Sequence, residues 1–235
     1  MSGVDGARTC AIDAGGERVE LLAERAAWVP GRRALLVSDL HLGKAAYMRA
    51  HGAGLPDSDV MEQLDRLGAL IRRLAAERTI VVGDLVHHRI GLKGELIERV
   101  AAWRRGIAST LELVDGNHDR ALQSPLDRVR GAWGVELLGP THELGAITLR
   151  HDPAGEAESG DVRAGALMVC GHLHPVVRLR EGGGTLKLAC FWVARFAGVR
   201  TLVLPAFSAF TGGWNVRRVA GDAVFAVVED RVMAI

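Results

Sequence analysis

The sequence predicts an α/β protein with layered helices. Three observations carry this. Short apolar runs alternate with amphipathic helical periods in the first half, each of those runs ends in a polar cluster, and the second half is a series of short strand-like runs separated by turn residues. In order, residues 1–17 are polar and glycine-rich, with one short edge strand expected around Arg8–Ile12. Val19 to Val29 reads as strand material closed by the Pro30-Gly31 turn. Ala34-Leu35-Leu36-Val37 is a buried strand that delivers Ser38, Asp39 and His41 into a loop. From Asp57 to Ala76 the spacing of Val60, Leu64, Leu67, Leu70, Ile71 and Leu74 predicts a helix behind a Pro56/Asp57 start. Thr79–Val82 is the next strand and ends at Gly83-Asp84; Glu95–Ile107 is a second amphipathic helix. Leu111–Val114 then runs into Asp115-Gly116-Asn117-His118-Asp119, expected as a turn of polar residues.

The second half supplies strands at Val135–Leu138, Ala146–Arg150, Leu167–Cys170, Val176–Arg180, Thr185–Cys190, Val199–Leu204 and Ala223–Val228. Arg180 to Thr185, with its three glycines, reads as a hairpin tip, and Pro153–Arg163 as an exposed loop. There is no repeat period and no low-complexity linker, and histidines of one type lie on both sides of that loop. A single domain over residues 1–235 follows.

Composition narrows the function classes. A hydrophobic content of 49% with 24% charged residues provides for a large core in a globular protein. The formal charge of +1 gives no global attraction to nucleic acid, membranes or acidic partners, so an anionic substrate must be drawn by a local patch or by bound metal. Cys10, Cys170 and Cys190 are odd in number and lack CxxC spacing, which predicts reduced thiols. The N-terminus has no apolar signal core and no run approaches the ~20 residues of a membrane span, so a cytoplasmic protein without membrane partners is expected.

The chemistry lies at the strand ends. They carry Asp39-x-His41, Gly83-Asp84, Gly116-Asn117-His118-Asp119, His151 and Gly171-His172-x-His174. Each fragment alone is an ordinary turn or a core histidine; together, each behind an apolar strand, they predict a metal site. On an extended segment an x-separated pair points both side chains to one face, which would let two ligands reach one centre. Asp39, Asp84 and Asn117 offer hard oxygens, and His41, His151, His172 and His174 offer imidazoles. That mixture suits manganese, iron or zinc better than calcium or an all-thiolate zinc site. Seven donors are too many for one catalytic ion with an open position and about right for two ions sharing a carboxylate.

The same set resembles the calcineurin-like metallophosphoesterases, whose hallmarks are D-x-H, G-D, G-N-H-D/E, a single His and G-H-x-H. The resemblance implies a two-sheet β-sandwich flanked by helices (αββα). It also implies two divalent cations, manganese first: Asp39, His41 and His174 would hold one, Asn117, His151 and His172 the other, and Asp84 would bridge them. A narrower resemblance rests on Asp39-Leu40-His41-Leu42-Gly43-Lys44-Ala45, Arg49 and Gly52, Phe191-Trp192, and Leu204-Pro205-Ala206-Phe207 through Phe210-Thr211-Gly212-Gly213. Over roughly residues 19 to 215 the chain is similar to the bacterial ligase-associated DNA damage response endonucleases (PdeM family). The implied function is metal-dependent endonuclease cleavage of single-stranded or structured DNA, in repair beside a DNA ligase and a helicase. Many superfamily members carry Asp three positions after the bridging Asp; here that position is His87, followed by His88 and Arg89. Whether His87 supports a metal ligand or faces the substrate is open at this point.

The expected mechanism is attack by a metal-activated hydroxide on phosphorus. His118, beside a ligand but not among the ligands, is expected to protonate the leaving oxygen, with Asp119 holding its ring. Lys44, Arg49, His87, Arg89 and Arg120 flank the motifs as candidate phosphate contacts. Phe191, Trp192, Phe207, Phe210 and Trp214 either stack bases or fill the core. Two other function classes remain: a phosphoesterase for a small molecule, such as a cyclic nucleotide or nucleotide-sugar pyrophosphate, and a metal-free scaffold on the same fold.

Overall fold

Alternating apolar residues pair the first strands into a meander. A computed structural model describes residues 9–53, 59–122, 124–153, 166–181 and 184–235. In it β1 (Cys10–Ala14), β2 (Glu17–Leu22), β3 (Ala26–Val29) and β4 (Ala34–Val37) pair antiparallel in chain order. The expected strand over Val19–Val29 is therefore a hairpin, β2 and β3, turned at residues 23–25 with Arg25 at φ 63°. The expected edge strand around Arg8–Ile12 begins at Cys10; residues 1–8 lie outside the described part.

The sheet then turns parallel. β4, β5 (Arg78–Val82), β6 (Thr110–Val114) and β7 (Val135–Gly139) are neighbours in sequence order, so their carboxyl ends lie on one rim. Strands buried on both faces carry continuous apolar runs. Leu35 and Val37 pack toward helices, while Ala34 and Leu36 pack toward the second sheet. The crossovers contain α1 (Lys44–Ala50), α2 (Asp59–Leu74), α3 (Gly94–Arg105), α4 (Asn117–Leu122) and α5 (Ser124–Trp133). α2 follows the predicted period, and its Leu64, Leu67, Leu70 and Ile71 enter the helix-side core with Val100 of α3 and Val129 and Trp133 of α5. Asp57 and Ser58, the expected start of α2, lie outside the described residues.

The second sheet runs β14-β11-β12-β13-β10-β9-β8, with β15 beside β12 and β16 beside β15. Its strands are β8 (Thr141–Leu144), β9 (Ile147–Arg150), β10 (Leu167–Cys170), β11 (Pro175–Glu181), β12 (Gly184–Phe196), β13 (Val199–Val203), β14 (Trp214–Asn215), β15 (Ala223–Val228) and β16 (Arg231–Ala234). β9, β10 and β13 are mutually parallel, so three more carboxyl ends share a rim. β12 runs past the expected end at Cys190, because Phe191 and Trp192 continue it to pair with β13 and β15. β11 and β12 pair antiparallel as far as Glu181 and Gly184, and Gly182 and Gly183 of the expected tip lie outside the described residues. Most of the loop expected at Pro153–Arg163 lies outside the described residues.

The two sheets close on a shared core. Ile12, Val19, Leu21, Val29, Leu36, Ile80 and Val82 meet Ile147, Leu149, Leu167, Val169, Phe191 and Leu202. Among the described residues the packed helices cover the outer face of the first sheet. On the second sheet, Val177, Cys190, Val224 and Ala226 form a small cluster of their own. Phe191 and Phe207 are core residues, whereas Trp214 is 60% exposed. The three cysteines are free thiols. No helix among the described residues is long and apolar enough to cross a membrane.

Candidate metal centre at the carboxyl ends of the two sheets

The candidate ligands do not sit on extended backbone. Asp39 (φ 56°), His41 (49°), Asp84 (55°), His172 (67°) and His174 (49°) all occupy the left-handed region. Asp39/His41 and His172/His174 thus converge because the chain turns at each ligand, and the expected strand alternation plays no part. Each such residue costs on the order of 1–3 kcal/mol and persists only where its surroundings fix it. The fixing bonds are present. Asp39 N–H donates to Gly83 O (3.1 Å), His41 N–H to Asp84 O (2.9 Å), and Gly171 N–H to His151 O (3.0 Å). His172 N–H donates to Asp39 Oδ2 (3.1 Å) and His118 N–H to Asp84 Oδ1 (3.0 Å). The two sheets are laced together through the ligands themselves.

Glycines in the motifs make that lacing possible. A Cβ on Gly171 would lie 1.7 Å from Ser38 Oγ, on Gly116 2.3 Å from the Asp84 amide nitrogen, and on Gly83 2.1 Å from His151 Nδ1. Each glycine is required by a ligand loop arriving from elsewhere in the chain.

The polar atoms then gather in one place. His174 Nε2 lies 2.9 Å from Asp39 Oδ1 and 3.4 Å from His41 Nε2. Asp84 Oδ2 is 3.4 Å from His151 Nε2, 3.9 Å from His118 Nε2 and 4.0 Å from His41 Nε2. Asn117 Oδ1 is 3.1 Å from both His151 Nε2 and His172 Nδ1. All seven predicted ligands are brought together, with Asp84 between the His41 side and the His151 side. Asp152 joins them 3.3 Å from His172 Nδ1. Ser38, whose hydroxyl is 2.6 Å from Asp39 Oδ2 and 2.8 Å from Val82 O, holds the Asp39 carboxylate from behind.

This donor set fits divalent cations. Asp39 and Asp84 are buried, and among the described residues no Lys or Arg forms an ion pair with either. Asp39 Oδ1 makes no hydrogen bond at all despite its proximity to His174. Oxygen and imidazole donors within 4.8 Å of one another recur in the groups Asp39/His41/His174, Asp39/Asp84/His151 and His151/Asp152/His172. The protonation pattern expresses the same charge imbalance. Burial works against it, but the hydrogen bond and charge of Asp84 raise His151 to about 9. Asp84 in turn falls to about 2 against the opposing effect of burial, held there by His151. Burial lowers His41 to about 3, keeping its lone pair available.

Two expectations about the second motif change. Asn117 begins the helix α4, so GNHD opens a helix and is no terminal turn. Carboxylates from Asp119 and Asp84 accept the otherwise unpaired N–H groups of Gly116 and His118, and Arg120 N–H closes on Gly116 O at 3.0 Å. Asp119 does not hold the His118 ring. Its carboxylate is spent on the N–H groups of Leu85, Val86 and Gly116 at 3.1–3.2 Å, clamping the loop after β5 to α4. Burial and the charge of Asp84 push it up to about 6. The ring partner of His118 is the His87 carbonyl, 2.7 Å from Nδ1. That leaves His118 Nε2 facing the cluster.

The expected phosphate contacts divide. Lys44, at the start of α1, is half-buried beside Asp39 and Asp84; burial lowers its pKa while both carboxylates raise it. His87 lies 4.7 Å from His118 at a shallow tilt and meets His41 edge to face at 5.2 Å, and burial with the charge of His118 lowers it to about 4. Arg120 donates to Asp152 Oδ2 (3.3 Å) at the edge of the cluster. Arg49 lines a separate cleft with Lys93 and Arg99, and Arg89 is exposed on a single 3-10 turn. Tyr47, whose ring touches His87, His88 and His51 at 4.4–5.1 Å, escaped the sequence reading because α1 has no clear apolar period.

No protein-family model and no curated protein matches the chain. Among solved structures, it is similar to Pseudomonas putida nuclease MPE, with 29% identity and a TM-score of 0.76 over 97% of this chain and 100% of that one. The phosphoesterase Yfce from E. coli shares 15% identity over 86% of this chain and 97% of its own, with a TM-score of 0.44. A single-mutant form of Vps29 from Entamoeba histolytica shares 15% over 86% and 96%, with a TM-score of 0.37. The fold assignment rests on the first of these. The chain has the calcineurin-like metallophosphoesterase fold, and its gathered donors form a candidate site for divalent metal ions.

Proposed function

We propose that the chain cleaves phosphodiester bonds in DNA with the help of two divalent cations, manganese first. The observation that carries this reading is the placement of Asp84 between two sets of donors, His41 with Asp39 and His174 on one side and His151 with Asn117 and His172 on the other. Similarity along nearly the whole chain to a protein described as a nuclease supports the substrate class. A single catalytic domain is supported by the core that both sheets share. A place in repair beside a ligase and a helicase is proposed from the family resemblance of the DLHLGK and FTGG segments alone.

When bound, two such cations would polarise the phosphoryl group and activate a water near neutral pH. The chain's own residues do the rest. Asp39, His41 and His174 would hold one cation, Asn117, His151 and His172 the other, with Asp84 shared. His118 presents Nε2 to the same space while its Nδ1–H is donated to the His87 carbonyl, which fixes the orientation of the ring. Its role is to deliver a proton to the departing oxygen. Lys44 adds a positive charge beside Asp39 and Asp84 where the phosphate's charge must be met.

The net charge of +1 favours a second reading, a phosphoesterase for small diesters. Hydrolysis of bis-p-nitrophenyl phosphate with Mn²⁺, against the monoester and a labelled single-stranded oligonucleotide, separates the two. Cleavage of the diester and the oligonucleotide, both lost in His118→Ala, is the expected result. An untouched oligonucleotide alongside a cleaved diester overturns the nucleic-acid reading, and inactivity with every divalent metal would point to the scaffold.

A further inference from the structure

The segment Ala206–Gly213, which marks the narrower resemblance, takes no part in the chemistry above. It nevertheless builds a cavity. A space of about 180 Å³ lies between Ala206, Ala209, Thr211 and Gly212 of this segment and the side chains of Arg25 and Lys187. Among the described residues no acidic one lines it. A neighbouring cavity of about 550 Å³ differs in that Arg25, Arg66 and Arg73 line it together with Glu24, Glu229 and Asp230, so its wall carries both signs of charge.

Arg25 sits between the two cavities. Its hydrogen bond goes to the Ser208 carbonyl at 3.3 Å, and among the described residues no carboxylate pairs with it. Burial alone lowers its pKa. On the side of this cavity the guanidinium meets only a neutral carbonyl, so an anion there would gain charge-assisted hydrogen bonds. Lys187 lies across the cavity on β12, its stem packed over Gly213, where an added Cβ would come 3.1 Å from Lys187 Cε. The segment is tied to the metal centre at both ends. Phe207 N–H donates to Ser38 O and Ser208 N–H to Asp39 O, while Trp214 N–H donates to His174 O. Pro175, which directly follows His174, forms part of the wall.

We infer that the Arg25/Lys187 cavity is a second phosphate subsite, which holds a backbone phosphate of the same strand on the His174 side of the scissile bond. The inference rests on the nucleic-acid reading and extends it. The paired positive side chains suit a phosphate, whose charge-assisted hydrogen bonds are the strong ones. A subsite of this kind also explains how a chain with a net charge of +1 gains hold of a polyanion, through one local pair of cations in place of a basic face.

The test is a scan with single-stranded oligonucleotides in which one linkage at a time is a neutral methylphosphonate, cleaved by the Mn²⁺-loaded full chain. Besides the scissile linkage, one further position within a few nucleotides should be sensitive, with KM raised about tenfold and kcat little changed. Lys187→Gln, on an exposed strand, and Arg25→Met should raise KM for the all-phosphate oligonucleotide by a similar factor. In these variants the neutral linkage at that position should add no further penalty, and the salt slope of binding should fall by about 0.7 per lost contact. Cleavage with no second sensitive linkage, or a penalty that persists undiminished in both variants, overturns the subsite while leaving the nuclease reading intact. Failure to cleave any oligonucleotide while bis-p-nitrophenyl phosphate is hydrolysed overturns the nucleic-acid reading, and the subsite falls with it.

Discussion

The two rims of the candidate centre are built differently. On the first sheet, Asp39, His41 and Asp84 follow β4 and β5, are buried, and are held by hydrogen bonds to one another's backbone. On the second sheet, His172 and His174 follow β10 in a loop, and the His172 side chain is 40% exposed against 2% for His41. His151 is the exception on that rim, buried and bonded through Nδ1 to Val82 O of β5 at 2.9 Å. The first rim is thus a closed cradle whose candidate donors are fixed by burial and by backbone hydrogen bonds. The second is a wall open to solvent, where a substrate must enter. Preorganised donors on rigid elements with an accessible side opposite is the arrangement metal-assisted hydrolysis needs.

The largest effect should come from Asp84, which the two sides share. Asp84→Asn should lower diester hydrolysis by well over the ~10–100-fold that losing an outer supporting partner costs, and metal analysis should show both equivalents weakened. Loss of one equivalent with the other intact would break the picture of a shared ligand. Next is His118→Ala, expected to lower kcat about 10²–10⁴-fold with metal content unchanged. A protein that arrives without metal would show that His118 is a ligand and not the proton donor.

The difference in exposure offers a sharper comparison. His172→Ala leaves a gap at the open wall, so added imidazole should restore much of its lost activity. His41→Ala leaves a gap in the closed cradle, and imidazole should restore little. Equal rescue of both would remove the distinction between the rims. Ser38→Ala acts from behind the cradle, and a metal affinity lowered about tenfold is expected from losing a group that orients a ligand. A calorimetric titration with Mn²⁺ reads this directly.

The smallest effect lies away from both rims and reads stability. Arg78 on β5 donates to both carboxylate oxygens of Glu112 on β6, at 2.9 and 2.5 Å. Burial opposes ionisation of Glu112, but Arg78 holds its pKa below the ordinary 4.5. A carboxylate lowered in this way stabilises the fold fully above its unfolded pKa, and the contribution is lost as pH falls through the lowered folded value. Because Arg78 is partly exposed, Glu112→Gln should cost about 1–2 kcal/mol at pH 7, between the surface and fully buried cases. Urea melts should show the gap between the two proteins closing as the pH falls below the ordinary glutamate value. A gap that widens in acid would reverse the assignment.

The residue pattern by itself determined the parallel strands β4, β5 and β6, the α2 period and the seven candidate donors that the fold gathers. Each of these is written locally, in a run of apolar residues or in a short polar motif behind it. Its reading of GNHD as a turn failed because the carboxylate that satisfies the His118 amide, that of Asp84, stands 34 residues away and is invisible to local spacing. The role given to Asp119 failed for the same reason: its backbone partners Leu85 and Val86 come from the preceding strand loop. The short helices α1 and α5 and the length of β12 depend on packing against elements that no local period announces. Only the tertiary structure decided which ligands are closed in and which face solvent. That outcome depends on two sheets presenting their carboxyl ends to each other, at glycines such as Gly171 and Gly83 where any side chain would hold the rims apart.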